Sequence, residues 1–187
     1  MLYKEIKLKN GQACIFRQPL EEDAQNVLDY VSNVCGETDF LTFGKGEMNW
    51  TLEEEQKFIK EHNEADNKQI IIAEVQGHIV GITGFTGGKT KRIQHVGDFG
   101  ISVLRKFWNQ GIGKALVENL IEWAGKSGVV RKINLRVRVD NERAIKLYKS
   151  LGFSNEGLIS RQFLINNKFY DAYCMGFEID PKLCRKI

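Results

Sequence analysis

The stretch VLRKFWNQGIGKAL, Val103 to Leu116, decides the fold. It joins the end of an apolar run to a glycine-opened helix in which Ile112, Leu116, Leu120 and Ile121 recur at helical spacing and pin one face to a core. A helix beginning at Gly111-Ile112-Gly113 presents unpaired backbone N–H groups at a positive dipole end, a site for a phosphate or pyrophosphate. Glycines there let a ligand come close to the backbone. Two other glycine loops of similar chemistry do not fit. A Walker loop needs Lys followed by Ser or Thr, but Lys114 is followed by Ala115; the dinucleotide fingerprint needs a third glycine where Leu116 stands.

Thirty residues beyond Gly111 comes NERAIKLYKSLGF, Asn141 to Phe153. Together the two segments resemble the GNAT superfamily of N-acetyltransferases. Its coenzyme-A motif sets a strand valine eight residues before a G-x-G pair, as Val103 stands before Gly111. Its second motif, N-x-x-A-x-x-L-Y-x-x-x-G-F, is matched by Asn141, Ala144, Leu147, Tyr148, Gly152 and Phe153. One position departs: the family usually carries Arg or Gln three residues before the first glycine, where this chain has Trp108.

The resemblance covers nearly the whole chain and looks nearest to the ribosomal-protein, polyamine and aminoglycoside acetyltransferases. It implies an α+β acyl-CoA N-acyltransferase fold, a mostly antiparallel sheet flanked by helices, with the strands holding Val103 and Val137 splayed around a pantetheine arm. It also implies an acetyl-CoA-dependent N-acetyltransferase, an acyltransferase that needs no metal, working by direct attack of a primary amine in a ternary complex. The implied cofactor-binding residues are Ile101, Ser102, Val103, Asn109, Gln110, Gly111, Ile112, Gly113, Lys114, Asn141 and Tyr148. Tyr148 matches the family tyrosine at the coenzyme sulfur and is the general acid for the departing thiolate. Asp98 occupies the strand where many members carry a Glu, and serves as base, as electrostatic anchor for the amine, or as a plain strand residue. Backbone N–H groups near Ile101 to Val103 are the oxyanion donors. The alternative is a catalytically silent coenzyme-A sensor or scaffold with the same fold.

The 187 residues, 42% hydrophobic and 27% charged, suit one soluble domain over 1–187. No apolar run approaches about 18 to 20 residues and no charged-then-apolar leader is present, so a cytoplasmic protein without a membrane partner is expected. The net charge of +3 is spread out, which argues against nucleic acid but favours a polyanionic ligand, with Arg105, Lys106, Lys114 and Arg143 near the cradle. Lys89, Lys91 and Arg92 read as a solvated loop. Cys14, Cys35, Cys174 and Cys184 form no C-x-x-C pair, and His62, His78 and His95 are not spaced with them as metal ligands. Reduced, mostly buried thiols follow, with no evident nucleophile for a ping-pong route.

Hydrophobic period predicts a strand over Ala13 to Arg17 and a helix over about Glu21 to Val34 with Ala24, Val27, Leu28 and Val31 as its stripe. Thr51 with Glu54 forms a capping box for a helix to about Ala65. Ile70 to Val75 and His78 to Phe85 make a hairpin about Gln76-Gly77; Ile93 to Val103 leads into the cradle. Lys132 to Val139 alternates as a half-buried strand, Asn141 begins a short helix, and Arg161 to Ile165 with Phe169 to Ile179 forms a final hairpin about Asn166-Asn167. That hairpin offers an edge for homodimer pairing. The acceptor amine, on a small molecule or a protein N-terminus, is expected at the helix pair, the Phe40 to Trp50 loop and the final hairpin. Arg161, Tyr170, Asp171 and Glu61 are candidate contacts; Glu53, Glu54, Glu55 and Glu61 are either a polyamine-binding cluster or an ordinary acidic helix start. The run Phe40 to Gly44 is a core plug or a substrate wall, with the plug favoured.

Overall fold

The computed structural model describes residues 2–179. One eight-stranded sheet runs through it in the order β1-β2-β3-β4-β5-β6-β8-β7. The strands are β1 (Leu2–Lys7), β2 (Ala13–Arg17), β3 (Lys68–Val75), β4 (His78–Gly87), β5 (Val96–Val103), β6 (Lys132–Arg138), β7 (Ser154–Ile165) and β8 (Lys168–Glu178). The helices are α1 (Ala24–Cys35), α2 (Leu52–Glu64), α3 (Ile112–Lys126) and α4 (Glu142–Ser150). Neighbouring strands are antiparallel except β5 and β6, which run parallel. This is the α+β architecture the sequence implied.

Each face of the sheet carries its own core. Leu116 and Leu120 of α3 meet Ile71, Phe85, Phe99, Ile133 and Leu135 on one face, while Val27, Tyr30 and Val34 of α1 and Ile59 of α2 meet Ile70, Ile72 and Ile79 on the other. The alternation of strand side chains divides the residues this way: odd positions of β5 and β6 face α3, and Asp98, Gly100, Ser102 and Arg136 are left for the side of α1 and α2. In α1 the buried stripe is Ala24, Val27, Tyr30 and Val34, and Leu28 lies on its shoulder. Tyr30 enters the core because its hydroxyl finds Ser102 Oγ at 2.9 Å.

The turns obey their residues. Gln76 and Gly77 both hold positive φ between β3 and β4, as do Asn166 and Asn167 between β7 and β8, the left-handed pairs that match hairpin twist. The Thr51 and Glu54 capping box closes in both directions at the start of α2. Three boundaries differ from expectation. Residues 2–7 pair with β2 as an edge strand whose polar alternation carries no strong signal. The run from Ile93 becomes a strand only at Val96, because Ile93 and Gln94 N–H groups bond back to Thr90 in a turn. The final hairpin begins at Ser154 rather than Arg161; a register shift between Ile159 and Phe163, with Arg161 at φ 53°, breaks the pattern there.

Candidate active site

β5 and β6 pair only from Val96 to Asp98 against Lys132 to Asn134, although β5 runs on to Val103 and β6 to Arg138. Beyond Asp98 the two strands part and leave unpaired backbone facing a gap. The gap opens into a cleft of about 880 Å³ that crosses from the N-terminus of α3 to the underside of α2.

The chain enters α3 through a short 3-10 turn, Arg105–Phe107, and a left-handed Gly111 at φ 87° that caps the helix. A Cβ on Gly111 would meet nothing within 4 Å, so this end of the helix is open toward the cleft, and its first N–H groups have no side-chain cap. The residues present therefore fit a polyanion bound at the helix start. Ile112 is itself buried in the core and has only its backbone to offer. Lys114 and Arg143 line the cleft; Arg105 and Lys106 do not, and lie instead against the Trp108 and Phe107 rings. Trp108 lines the cleft and anchors its indole N–H on Val103 O at 2.7 Å.

Of the residues assigned from sequence, Asp98, Ile101, Ser102, Val103, Asn109, Gly111, Ile112, Gly113, Lys114, Asn141 and Tyr148 all line this one cleft. Gln110 does not; its Oε1 accepts from the Lys9 N–H at 3.1 Å, turned toward the loop after β1. Ser102 has its hydroxyl committed to Tyr30 and its backbone turned to β4 opposite Ile82, which leaves Ile101 and Val103 to present backbone to the gap. Asn141 caps α4 by accepting from Ala144 N–H at 3.2 Å while it faces the cleft.

Tyr148 is buried between Phe99 and Phe153, with ring centroids 5.9 Å from each. Among the described residues nothing hydrogen-bonds its hydroxyl, and burial pushes the phenol pKa well above its usual value, so it stays protonated. Asp98 is exposed on β5, opposite Thr86 of β4. Thr86 in turn holds His62 of α2, whose Nε2 lies 3.2 Å from its hydroxyl and whose Nδ1–H donates to Phe58 O at 2.8 Å. Burial lowers the His62 pKa, which keeps the ring neutral in this role.

The acceptor side departs from expectation. Arg161, Tyr170, Asp171 and Glu61 do not line the cleft. Asp171 accepts from the Arg161 N–H, Tyr170 stacks on Arg138, and Glu61 pairs with Lys68. The four glutamates form no cluster either. Glu53 and Glu54 are exposed at the helix start, whereas Glu55 is 4% exposed and faces the cleft with Phe58 and Trp50. Phe40 to Phe43 is wall as well as plug. Leu41 and Phe43 pack on the core below α1, and Phe40, 40% exposed, lines the cleft with its ring over the Arg138 guanidinium. Sequence reasoning missed Tyr30, reached Trp50 only as the end of the Phe40 to Trp50 loop, and named Glu55 only as one of four glutamates; helical spacing with Ile59 and His62 was the available signal that sets Glu55 apart.

Cys14 and Cys35 are buried, with burial pushing Cys14 up to about 11 and raising Cys35 as well; Cys174 is half-buried and none of the three lines the cleft. Cys184 lies outside the described residues. Among the described residues no group of His, Cys, Asp and Glu could hold a metal ion, and no helix is long and apolar enough to cross a membrane.

Residues 38–153, more than half of the chain, match the model of the acetyltransferase (GNAT) family. The L-amino acid N-acetyltransferase AaaT of Escherichia coli is 38% identical over 106 residues, 57% of this chain and 65% of that protein. The ribosomal protein bS18 alanine N-acetyltransferase of Escherichia coli is 46% identical over 65 residues, 35% of this chain and 43% of that one. The match thus spans just under two thirds of the first relative and under half of the second. Among solved structures, a GNAT-family acetyltransferase from Streptococcus pneumoniae superposes with a TM-score of 0.86 at 34% identity, covering 89% of this chain and 99% of that one.

Proposed function

This chain belongs to the acetyltransferase (GNAT) family, and on that footing we propose that it transfers an acetyl group from acetyl-CoA to a primary amine by direct attack within a ternary complex. The observation that carries the reading is the cleft itself: an open helix start at Gly111, parted backbone between β5 and β6, and the unpartnered Tyr148 hydroxyl all face one space. Acetyl-CoA, the donor used in the family, supplies an activated thioester.

The helix start and Lys114 hold the phosphorylated end, with Asn109, Gly113 and Asn141 beside it. Within the stretch Ile101 to Val103, the N–H groups of Ile101 and Val103 face the gap and would be the donors for the thioester carbonyl, where developing negative charge needs fixed donors. Tyr148 is placed to protonate the departing thiolate, a role that suits a phenol kept neutral by burial. Asp98 faces the α2 side of the same cleft, where an amine proton must be taken up, directly or through water. The buried thiols, raised in pKa and outside the cleft, support attack by the acceptor amine itself over a thiol-bound intermediate.

Calorimetric titration with CoA, followed by thiol release from acetyl-CoA across a panel of amines, tests the reading. Saturable CoA binding with amine-dependent thiol release is expected. CoA binding without turnover on any amine would instead make the protein a CoA sensor or scaffold, and no heat at millimolar CoA would remove the binding site as well.

A further inference from the structure

α2 begins with three consecutive glutamates, and they do different things. Glu53 and Glu54 stay in water beside the helix N-terminus, Glu54 closing the cap on Thr51. Glu55 shares the stripe of Ile59 and His62, one and two turns on, which faces the sheet. It is 4% exposed, it lines the cleft, and no ion pair or hydrogen bond to its carboxylate exists among the described residues. A carboxylate left so is destabilising unless a cation reaches it. Helix capping, which accounts for its two neighbours, does not account for it.

Its surroundings are aromatic. Trp50 and Phe58 meet edge to face at 4.9 Å, and Phe43 and Met48 also line the cleft. The sheet beneath is bare. Gly84 and Gly100 face each other across β4 and β5; a Cβ on Gly100 would meet nothing within 4 Å, and one on Gly84 only the Gln69 carbonyl oxygen at 3.9 Å. Side chains are missing where the floor would otherwise be filled, so room for a ring-sized group remains on the same face of the sheet as Asp98.

We propose that Glu55 holds the ammonium of the acceptor, and that the acceptor is a singly charged primary amine carried on an apolar or aromatic body. This rests on the acetyl-transfer reading of the cleft. The aromatic side chains supply apolar contact and cation–π attraction, and the one buried carboxylate supplies the counter-charge. A polyamine would need several carboxylates along its length; among the described residues the cleft lining offers only Asp98 besides Glu55, the carboxylate that the acetyl-transfer reading uses for the amine proton, and the other acidic residues of α2 are turned to solvent or, like Glu61, paired outside the cleft.

The test uses phenethylamine, its uncharged analogue 2-phenylethanol, and spermidine, titrated calorimetrically into the full chain with and without CoA. Phenethylamine is expected to bind about 10- to 100-fold more tightly than the alcohol, as a charge-assisted contact implies, and no less tightly than spermidine. Glu55→Gln should remove that preference while leaving the alcohol and CoA affinities within about twofold. Equal binding of amine and alcohol to the wild type, tighter binding of spermidine, no binding of phenethylamine, or an unaltered preference in E55Q would each overturn the proposal. The wild-type comparison stands even if the variant fails to fold. Failure of CoA to bind would instead count against the acetyl-transfer reading, while the amine and alcohol titrations without CoA still decide the role of Glu55.

Discussion

Trp108 donates its indole N–H to the carbonyl oxygen of Val103 over 2.7 Å, tying the end of β5 to the loop that opens α3. The Arg143 guanidinium lies 4.7 Å from the center of the indole, and Arg105 5.6 Å. The residue that departs from the family pattern is thus a brace: it ties down the end of β5 and carries the Arg143 cation at the cleft rim. Trp108→Phe keeps an aromatic ring but loses the donor along with part of the indole's area. CoA affinity is expected to fall about 5- to 10-fold, the worth of one hydrogen bond, with a matching loss of about 1 kcal/mol in thermal unfolding. Unchanged affinity by calorimetry would reduce Trp108 to packing.

Gly111 and Gly113 separate conformation from space. Gly111 sits at φ 87°, so even Gly111→Ala is strained, by about 1 kcal/mol. At Gly113 a Cβ would make ordinary contacts, 3.7 Å to Leu147 and 4.0 Å to Val103. Gly113→Ala should fold and melt like wild type, whereas Gly113→Val should keep most of its stability and lose CoA affinity at least tenfold. Parallel melting curves and CoA titrations check both; a Gly113→Val protein that binds CoA normally would move the site elsewhere.

Tyr148→Phe removes a hydroxyl that nothing else in the described structure uses and preserves the contacts with Phe99 and Phe153. The melting temperature should hold, CoA affinity should change little, and kcat should drop about 100-fold, the pattern of an interaction made mainly in the transition state. A collapse of CoA binding would place the hydroxyl in the ground-state complex instead.

Asp98→Asn keeps shape and removes charge on an exposed strand position, so stability should be unaffected. With an amine in hand, kcat/KM is expected to fall about 10- to 100-fold and its acidic limb to move. Full turnover with an unchanged pH profile would show that another group or water takes the proton.

Burial raises the Glu55 carboxyl from 4.5 to about 7. Between these values the folded protein binds more protons at this site than the unfolded chain does, so the group lowers stability as pH rises through that window, by up to about 3 kcal/mol above it. Glu55→Gln should therefore raise the melting temperature at pH 8 and change it little at pH 4. An equal effect at both values would mean the carboxyl is not held in a desolvated site.

The two motifs carried most of the fold because they are local. The nine residues from Val103 to Gly111, and Asn141 at the cap of α4, specify a strand end, a turn and two helix starts from nearest-neighbour chemistry alone, and of the cofactor-binding residues assigned from them only Gln110 is turned away from the cleft. Hairpin turns at Gln76-Gly77 and Asn166-Asn167 were legible for the same reason. Edge strand β1 was not, since its pairing with β2, rather than any pattern of its own, makes it a strand. The acceptor half depended still more on tertiary structure. Within TLEEEQ the capping box sets Glu54 apart, but Glu55 differs from Glu53 only in which side of α2 meets the sheet, and that is settled by Ile59 and by His62 reaching Thr86 across the chain. The partly solvated Phe40 to Trp50 loop likewise became a wall only once Arg138, about a hundred residues away in sequence, put its guanidinium under Phe40 and its N–H on the Asp39 carbonyl. Short-range hydrogen-bonding and backbone preferences are written residue by residue; which carboxylate is buried depends on long-range packing, and only the assembled sheet decides it.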